Sequence, residues 1–233
     1  MLTGFEAKIN RLPIIAKPVR VRAYCAGSCK MLKHIFTTPV LRDMSELTPE
    51  QRAEICEYLL SLRAAAPGES KANRGGWHSS GNLFTPEHRQ FPAMRDAITK
   101  ALFQYFAEVF DYRREIQLSV SSWTVINRAG DYNVPHNHAA NLLSGALYLS
   151  VPEGMRGGAI NFQDPRLNLN AHETAGMKRL QVKPPWMGTR FSVQPSAGEI
   201  IVFPSWLNHW VDPFQCDQSD AVRIVVSFNS MVP

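Results

Sequence analysis

The sequence predicts a mainly β domain of the sandwich or barrel kind, with flanking α-helices behind it. Three observations predict it. Residues beyond about 115 break into short runs rich in Val, Ile, Phe, Trp, Tyr and Ser, separated by Gly, Pro, Asn and Asp turns. Clear helical periodicity lies only upstream of that point. The chain of 233 residues, 45% hydrophobic and 19% charged, is long enough for a sizeable core and excludes disorder, collagen-like repeats and a long coiled coil.

The elements follow in order. Residues 1–33 hold Lys8, Arg11, Lys17, Arg20, Arg22, Lys30 and Lys33 against Glu6, a local charge of +6. The formal total is +5, so residues 34–233 carry −1 and no basic face for nucleic acid is expected on the folded domain. Residues 1–30 read as a basic N-terminal extension: an organelle presequence, a flexible arm, or upstream sequence ahead of a start at or near Met31. Residues 31–233 read as a single domain, with helical support over 45–111 and a β core over 115–233. Thr48-Pro49-Glu50-Gln51 supplies a hydroxyl N-cap, a proline at N1 and Gln at N3, and Ile55, Leu59 and Leu62 recur on one face, so a helix should run to about Ala65. A polar, glycine-rich loop leads to Trp77–Phe84, a short strand or turn with an aromatic at each end. Thr85-Pro86-Glu87 opens a second helical region striped by Met94, Ile98, Leu102, Tyr105, Phe106 and Val109. Strands are expected over Gln117–Asn127, Leu142–Val151, Ala159–Phe162, Arg190–Val193, Glu199–Phe203, His209–Val211 and Val222–Asn229. Asp164–Phe191, with Pro165, Pro184, Pro185 and Gly188, reads as a long excursion, a candidate lid.

Cys25, Cys29, Cys56 and Cys216 form no CxxC pair and no regular ladder, so a reduced, cytoplasmic setting is the default. No apolar stretch approaches the ~20 residues that span a bilayer, and no membrane association is expected. Apolar edge strands leave room for a homodimer.

Three histidines stand out. In His136-Asn137-His138 two imidazoles are two residues apart, and on an extended segment both point to one sheet face. His209 lies on a later strand of the same β region. Two donors from one strand and one from another can hold a metal and leave its other side open, although a surface or core role explains any one histidine alone. Arg223, on the apolar strand that follows, needs a partner, because a buried unpaired guanidinium is costly and its planar fork matches a carboxylate.

The ordered set His136-Asn137-His138, Ser144-Gly145-Ala146-Leu147-Tyr148, Gly157-Gly158 through Asp164-Pro165, Gly198 through His209, and then Arg223 resembles the Fe(II)- and 2-oxoglutarate-dependent oxygenases. Within them it is similar to a bacterial and phage group, and Ile35–Val40, Trp77-His78-Ser79 and Trp123–Asn127 match that group's N-terminal half. The resemblance implies a double-stranded β-helix (jelly roll) backed by helices, and an oxidoreductase of the dioxygenase type. It implies Fe(II) held by His136, His138 and His209, and Arg223 paired with the far carboxylate of 2-oxoglutarate. The implied reaction is hydroxylation of a C–H bond in a small-molecule or peptide substrate by dioxygen, with release of succinate and CO2. Many relatives carry Asp or Glu at the position of His138, so two other donor sets stay open: Asp164 as carboxylate, or an exogenous anion. Tyr148 and Ser144 share a strand face and, with Asn127 and Ser227, are candidates to line the cosubstrate pocket. Trp206 and Trp210 are expected to shield the metal, and His34, His78, His88 and His172 to face solvent or cap turns. The loops 68–82 and 168–188 would choose the substrate. Two rival readings use the same histidines: a three-histidine, cupin-like enzyme without 2-oxoglutarate, and a non-catalytic jelly-roll module around a structural metal.

Overall fold

Two antiparallel sheets carry the fold of the computed structural model, which describes residues 35–84, 88–111, 116–166 and 190–233. Thr38–Pro233 form one compact unit; the expectations for residues 1–30 and for His34 lie outside the described residues.

Helix α1 (Pro49–Ala65) begins as its capping box requires: Gln51 N–H donates to Thr48 Oγ1 at 3.2 Å and Thr48 N–H to Gln51 Oε1 at 2.9 Å. It buries Ile55 and Leu59. Helix α2 (Phe91–Val109) starts at Gln90, without a side-chain cap and with Pro92 in its first turn. The expected cap at residues 85–87 lies outside the described residues. The buried stripe is the expected one with Phe91 and Ala101 added, but Val109 is exposed at the frayed end.

The larger sheet has the order β1-β10-β6-β13-β4-β3. Its strands are β1 (Leu41–Met44), β3 (Trp77–His78), β4 (Ser119–Asn127), β6 (Leu143–Ser150), β10 (Glu199–Pro204) and β13 (Arg223–Met231). Side chains alternate across it. Ile126, Leu147, Ile200, Val202, Ile224, Val226 and Phe228 pack with α1 and α2 in the main core. Val125, Ala146, Tyr148, Ile201, Phe203 and Val225 point the other way. Gly145 serves a close approach: a Cβ there would lie 2.2 Å from Phe228 Cζ and 2.6 Å from the Ile201 carbonyl oxygen.

The second sheet has the order β2-β5-β11-β8-β9, from β2 (Asn73–Arg74), β5 (Tyr132–His136), β8 (Ile160–Gln163), β9 (Arg190–Val193) and β11 (His209–Val211). A two-stranded ribbon joins β7 (Arg156–Gly157) to β12 (Phe214–Gln215). This is a mainly β jelly roll with helices on the outer face of one sheet. Most of the expected excursion, residues 167–189 including His172, lies outside the described residues. Cys56 and Cys216 are free thiols, and no described helix is long and apolar enough to cross a membrane.

Candidate metal centre

A cavity of about 600 Å³ lies between the two sheets. His136, the last residue of β5, is the direct cross-strand partner of His209, the first of β11, and their rings are 4.3 Å apart between centroids. His138 sits beyond the end of β5, so it does not reach the site by strand alternation as expected from an extended segment. Its N–H donates to the Ser205 carbonyl at 2.8 Å and its carbonyl accepts from Asn141 N–H at 2.9 Å, a turn that carries the ring back to 5.1 Å from His136 and 5.3 Å from His209. One donor nitrogen from each imidazole lies within 4.8 Å of the other two. Among the described residues no carboxylate joins the group. Asp164 is held instead by Arg166, with Nε to Oδ1 at 2.9 Å, and lines no part of the cavity.

The imidazoles are prepared as ligands. His136 Nδ1 meets the Val134 carbonyl at 2.7 Å and His209 Nδ1 the Leu207 carbonyl at 2.9 Å; a carbonyl only accepts, so Nδ1 carries the proton and the lone pair falls on Nε2. Burial, and then the charge His136 would carry, holds His138 down to about 4 and His209 to about 3. Burial lowers His136 too, against the Val134 hydrogen bond. All three are neutral at pH 7.

Arg223 projects from β13 toward the same cavity at 2% exposure. Its Nη1 donates to the Gly158 carbonyl at 2.8 Å and its guanidinium lies over Phe214, 5.5 Å from the ring centroid. Its Nε has no partner, and no acidic side chain lines the cavity among the described residues. Burial draws its pKa below the ordinary value, yet arginine stays charged at neutral pH. Three neutral nitrogen donors fit a divalent transition metal, and a buried, under-bonded guanidinium fits an anionic ligand beside it.

The other expected residues divide. Tyr148 lines the cavity without a hydrogen bond to the described residues, its hydroxyl pushed up to about 12 by burial. Ser227 lines it as well. Ser144 also faces it, but its hydroxyl is committed to Ser205 Oγ and Asn229 Oδ1, each at 2.7 Å. Asn127 is buried outside the cavity lining. Trp206 is half exposed in the turn before β11 and Trp210 donates to Asp212 Oδ1; neither lines the cavity, and Trp210, as the strand neighbour of His209, points away from its face. Phe203 and Phe162 enclose His209 instead, at 4.8 and 6.4 Å between centroids. His78 is the residue that sequence reasoning missed: it lines the cavity and stacks on Trp123 at 5.8 Å, and Trp123 contacts His138 on the other side. Its signal was period two, since a buried Trp77 places His78 on the opposite face. Lys71 and Ala72, from the 68–82 loop, also line the cavity. His88 keeps a turn role, its Nδ1 accepting from Gln90 N–H at 3.3 Å.

Among solved structures, the chain is similar to a prolyl-4-hydroxylase from Pseudomonas putida, with TM-score 0.59 and 13% identity over 84% of this chain and 94% of that one. It is also similar to HygX from Streptomyces hygroscopicus, solved with nickel and 2-oxoglutarate bound, with TM-score 0.54 and 12% identity over 84% and 83%. The epimerase SnoN of nogalamycin biosynthesis aligns with TM-score 0.53 and 18% identity over 84% and 78%. These likenesses establish the jelly-roll fold. No curated protein sequence matches the chain. Residues 121–229, the span that contains the three histidines and Arg223, match the family model described as "Putative 2OG-Fe(II) oxygenase". That match covers just under half of the chain, so over this span the chain is similar to the 2OG-Fe(II) oxygenases, and its donor set and buried arginine fit the Fe(II) and 2-oxoglutarate of that group.

Proposed function

We propose that the chain is a 2-oxoglutarate-dependent hydroxylase of a C–H bond, in which His136, His138 and His209 hold Fe(II) and Arg223 binds the far carboxylate of 2-oxoglutarate. The observation that carries this is the buried guanidinium, without a carboxylate partner, opening on the same cavity as three neutral imidazoles. When bound, the two cofactors supply the oxidising power, coupling decarboxylation of 2-oxoglutarate to succinate and CO2 with transfer of one oxygen atom of O2 to substrate carbon. The chain supplies placement and exclusion of water.

Each residue has a share in that placement. The Val134 and Leu207 carbonyls hold His136 and His209 in the tautomer that offers Nε2. A set of neutral imidazoles leaves the metal charge uncompensated, so a dianionic cosubstrate would offset it. Arg223, anchored at Nη1 by the Gly158 carbonyl, sets the depth to which that dianion enters. Tyr148 and Ser227 line its path, and Val125, Ile160 and Val225 keep the inner end apolar. The outer wall of Lys71, His78 and Asn133 faces the substrate, a small molecule or peptide. The near-neutral charge of residues 34–233 argues against nucleic acid.

The test is succinate formation from 2-oxoglutarate with Fe(II) and O2, first without added substrate and then across a panel of metabolites and peptides. Wild type should form succinate, His209→Ala none, and Arg223→Ala should require far more 2-oxoglutarate. Metal-dependent turnover that survives in Arg223→Ala with no 2-oxoglutarate consumed would sink the cosubstrate assignment in favour of a three-histidine enzyme that does not use it.

A further inference from the structure

Three polar atoms on one cross-strand pair are buried without a partner. Asn127 closes β4 and Arg223 opens β13; they face each other in the ladder, and paired residues share a sheet face. Asn127 is 1% exposed, yet among the described residues neither Nδ2 nor Oδ1 finds a hydrogen-bond partner, and the Nε of Arg223 is equally bare. Native folds rarely leave such groups unsatisfied, and a cluster of them signals a demand met in a working state. The carboxamide lies under the turn before β3, where the lack of a side chain on Gly76 (φ +61) leaves it room: a Cβ there would lie 2.3 Å from Asn127 Oδ1. It does not line the cavity, so it cannot be a direct ligand of what enters there.

We propose that Asn127 is a positioning residue for Arg223: its Oδ1 accepts from the Nε–H when a carboxylate loads the outer nitrogens of the guanidinium. The inference rests on the reading of Arg223 as the clamp of 2-oxoglutarate. Gly158 secures Nη1 alone, which leaves the plane of the fork free to tilt over Phe214. A bond at Nε fixes that plane, and bidentate recognition depends on the plane. The asparagine χ2 torsion is broad, so the carboxamide turns toward Nε at little cost. Without a ligand the amide contributes nothing to the fold, because its hydrogen bonds are unmade.

That last point separates a positioning role from a structural one. In the full chain loaded with Ni(II), which blocks turnover, 2-oxoglutarate is titrated by calorimetry into wild type, Asn127→Leu and Asn127→Ala. Both variants should raise its Kd about tenfold, the worth of one hydrogen bond to a charged group. Ni(II) affinity should stay at the wild-type value, and the metal-free melting temperature of Asn127→Leu should equal or exceed wild type. If Leu proves too large beneath Gly76, Asn127→Ala carries the binding test alone. Arg223→Lys lacks an Nε–H, so it should weaken binding by itself, and Asn127→Ala should cost nothing more in that background. An unchanged Kd in the Asn127 variants, or an equal further loss in the Arg223→Lys background, overturns the positioning role. A wild-type Kd in Arg223→Lys overturns the clamp assignment itself, and the positioning role with it.

Discussion

The two sheets that enclose the cavity are built to different standards. In the larger, β10 is buried along its whole length and β6 along all but its last residue, because helices cover one face and the cavity the other. β10 therefore reads as a nearly continuous apolar run, as strands covered on both faces do. In the second sheet, β5 has no fully buried residue and β9 buries only Val193, so its outer face is solvated. The better-packed sheet holds Arg223 and Tyr148, whose positions follow from ladder and core. The histidine triad comes from the other, where His138 has already left the strand and depends on a turn. Side-chain ties add to that turn: Asn137 Nδ2 donates to Asn208 Oδ1 at 2.8 Å, joining the two histidine-bearing segments. One wall thus carries stability, and the other carries chemistry at modest structural cost.

This contrast can be broken from either side. The largest effect belongs to the weaker sheet: His209→Ala should cut Ni(II) affinity by more than about 100-fold, beyond the 10–100-fold loss typical of outer-shell partners. Its metal-free melting temperature should change little. A drop as large as that of a core truncation would erase the distinction. Next comes the opposite case, Leu147→Ala in the buried sheet, expected to cost on the order of 3 kcal/mol in denaturant unfolding while Ni(II) affinity holds at subsaturating denaturant. Gly145→Ala should cost roughly 1–3 kcal/mol, because the new Cβ must displace Phe228 or the Ile201 carbonyl.

A pH-dependent effect also sharpens the comparison. His138 and His209 are held down to about 4 and about 3 in the fold, against roughly 6.5 in the unfolded chain. Between those limits the unfolded state binds more protons. Metal-free stability should therefore be full above about pH 6.5 and decline on acidification toward pH 4. His138→Ala should flatten that decline, and an unchanged slope would show that the triad is not what titrates. Smallest is Thr48→Ala, which removes the α1 cap and should cost about 1 kcal/mol with no change in metal or 2-oxoglutarate binding.

Local rules were legible wherever neighbours in sequence set the outcome. The Thr48/Gln51 box marked the start of α1 to the residue, and the strands at 190–193 and 209–211 matched their expected bounds. Reading failed where proximity in sequence stood in for proximity in space. Trp206 and Trp210 adjoin His209 along the chain but not in the site, whereas Phe162 encloses it as its ladder partner. His78 passed for a solvent-facing residue because only the pairing of β3 with β4 brings it against Trp123. Ser144 pointed where expected, yet its hydroxyl is taken by Ser205 and Asn229, from strands and turns far along the chain.

By itself the sequence determined the class of fold, the identities of the three imidazoles and the arginine, and their order, since alternation, caps and turn residues act over a few positions. Tertiary structure decided which groups share one cavity and in what state. It neutralised the histidines by burial, it returned His138 to the triad through a turn, and it left Arg223 and Asn127 buried with bonds unmade. Those outcomes depend on desolvation and on partners tens of residues away, which no local pattern encodes.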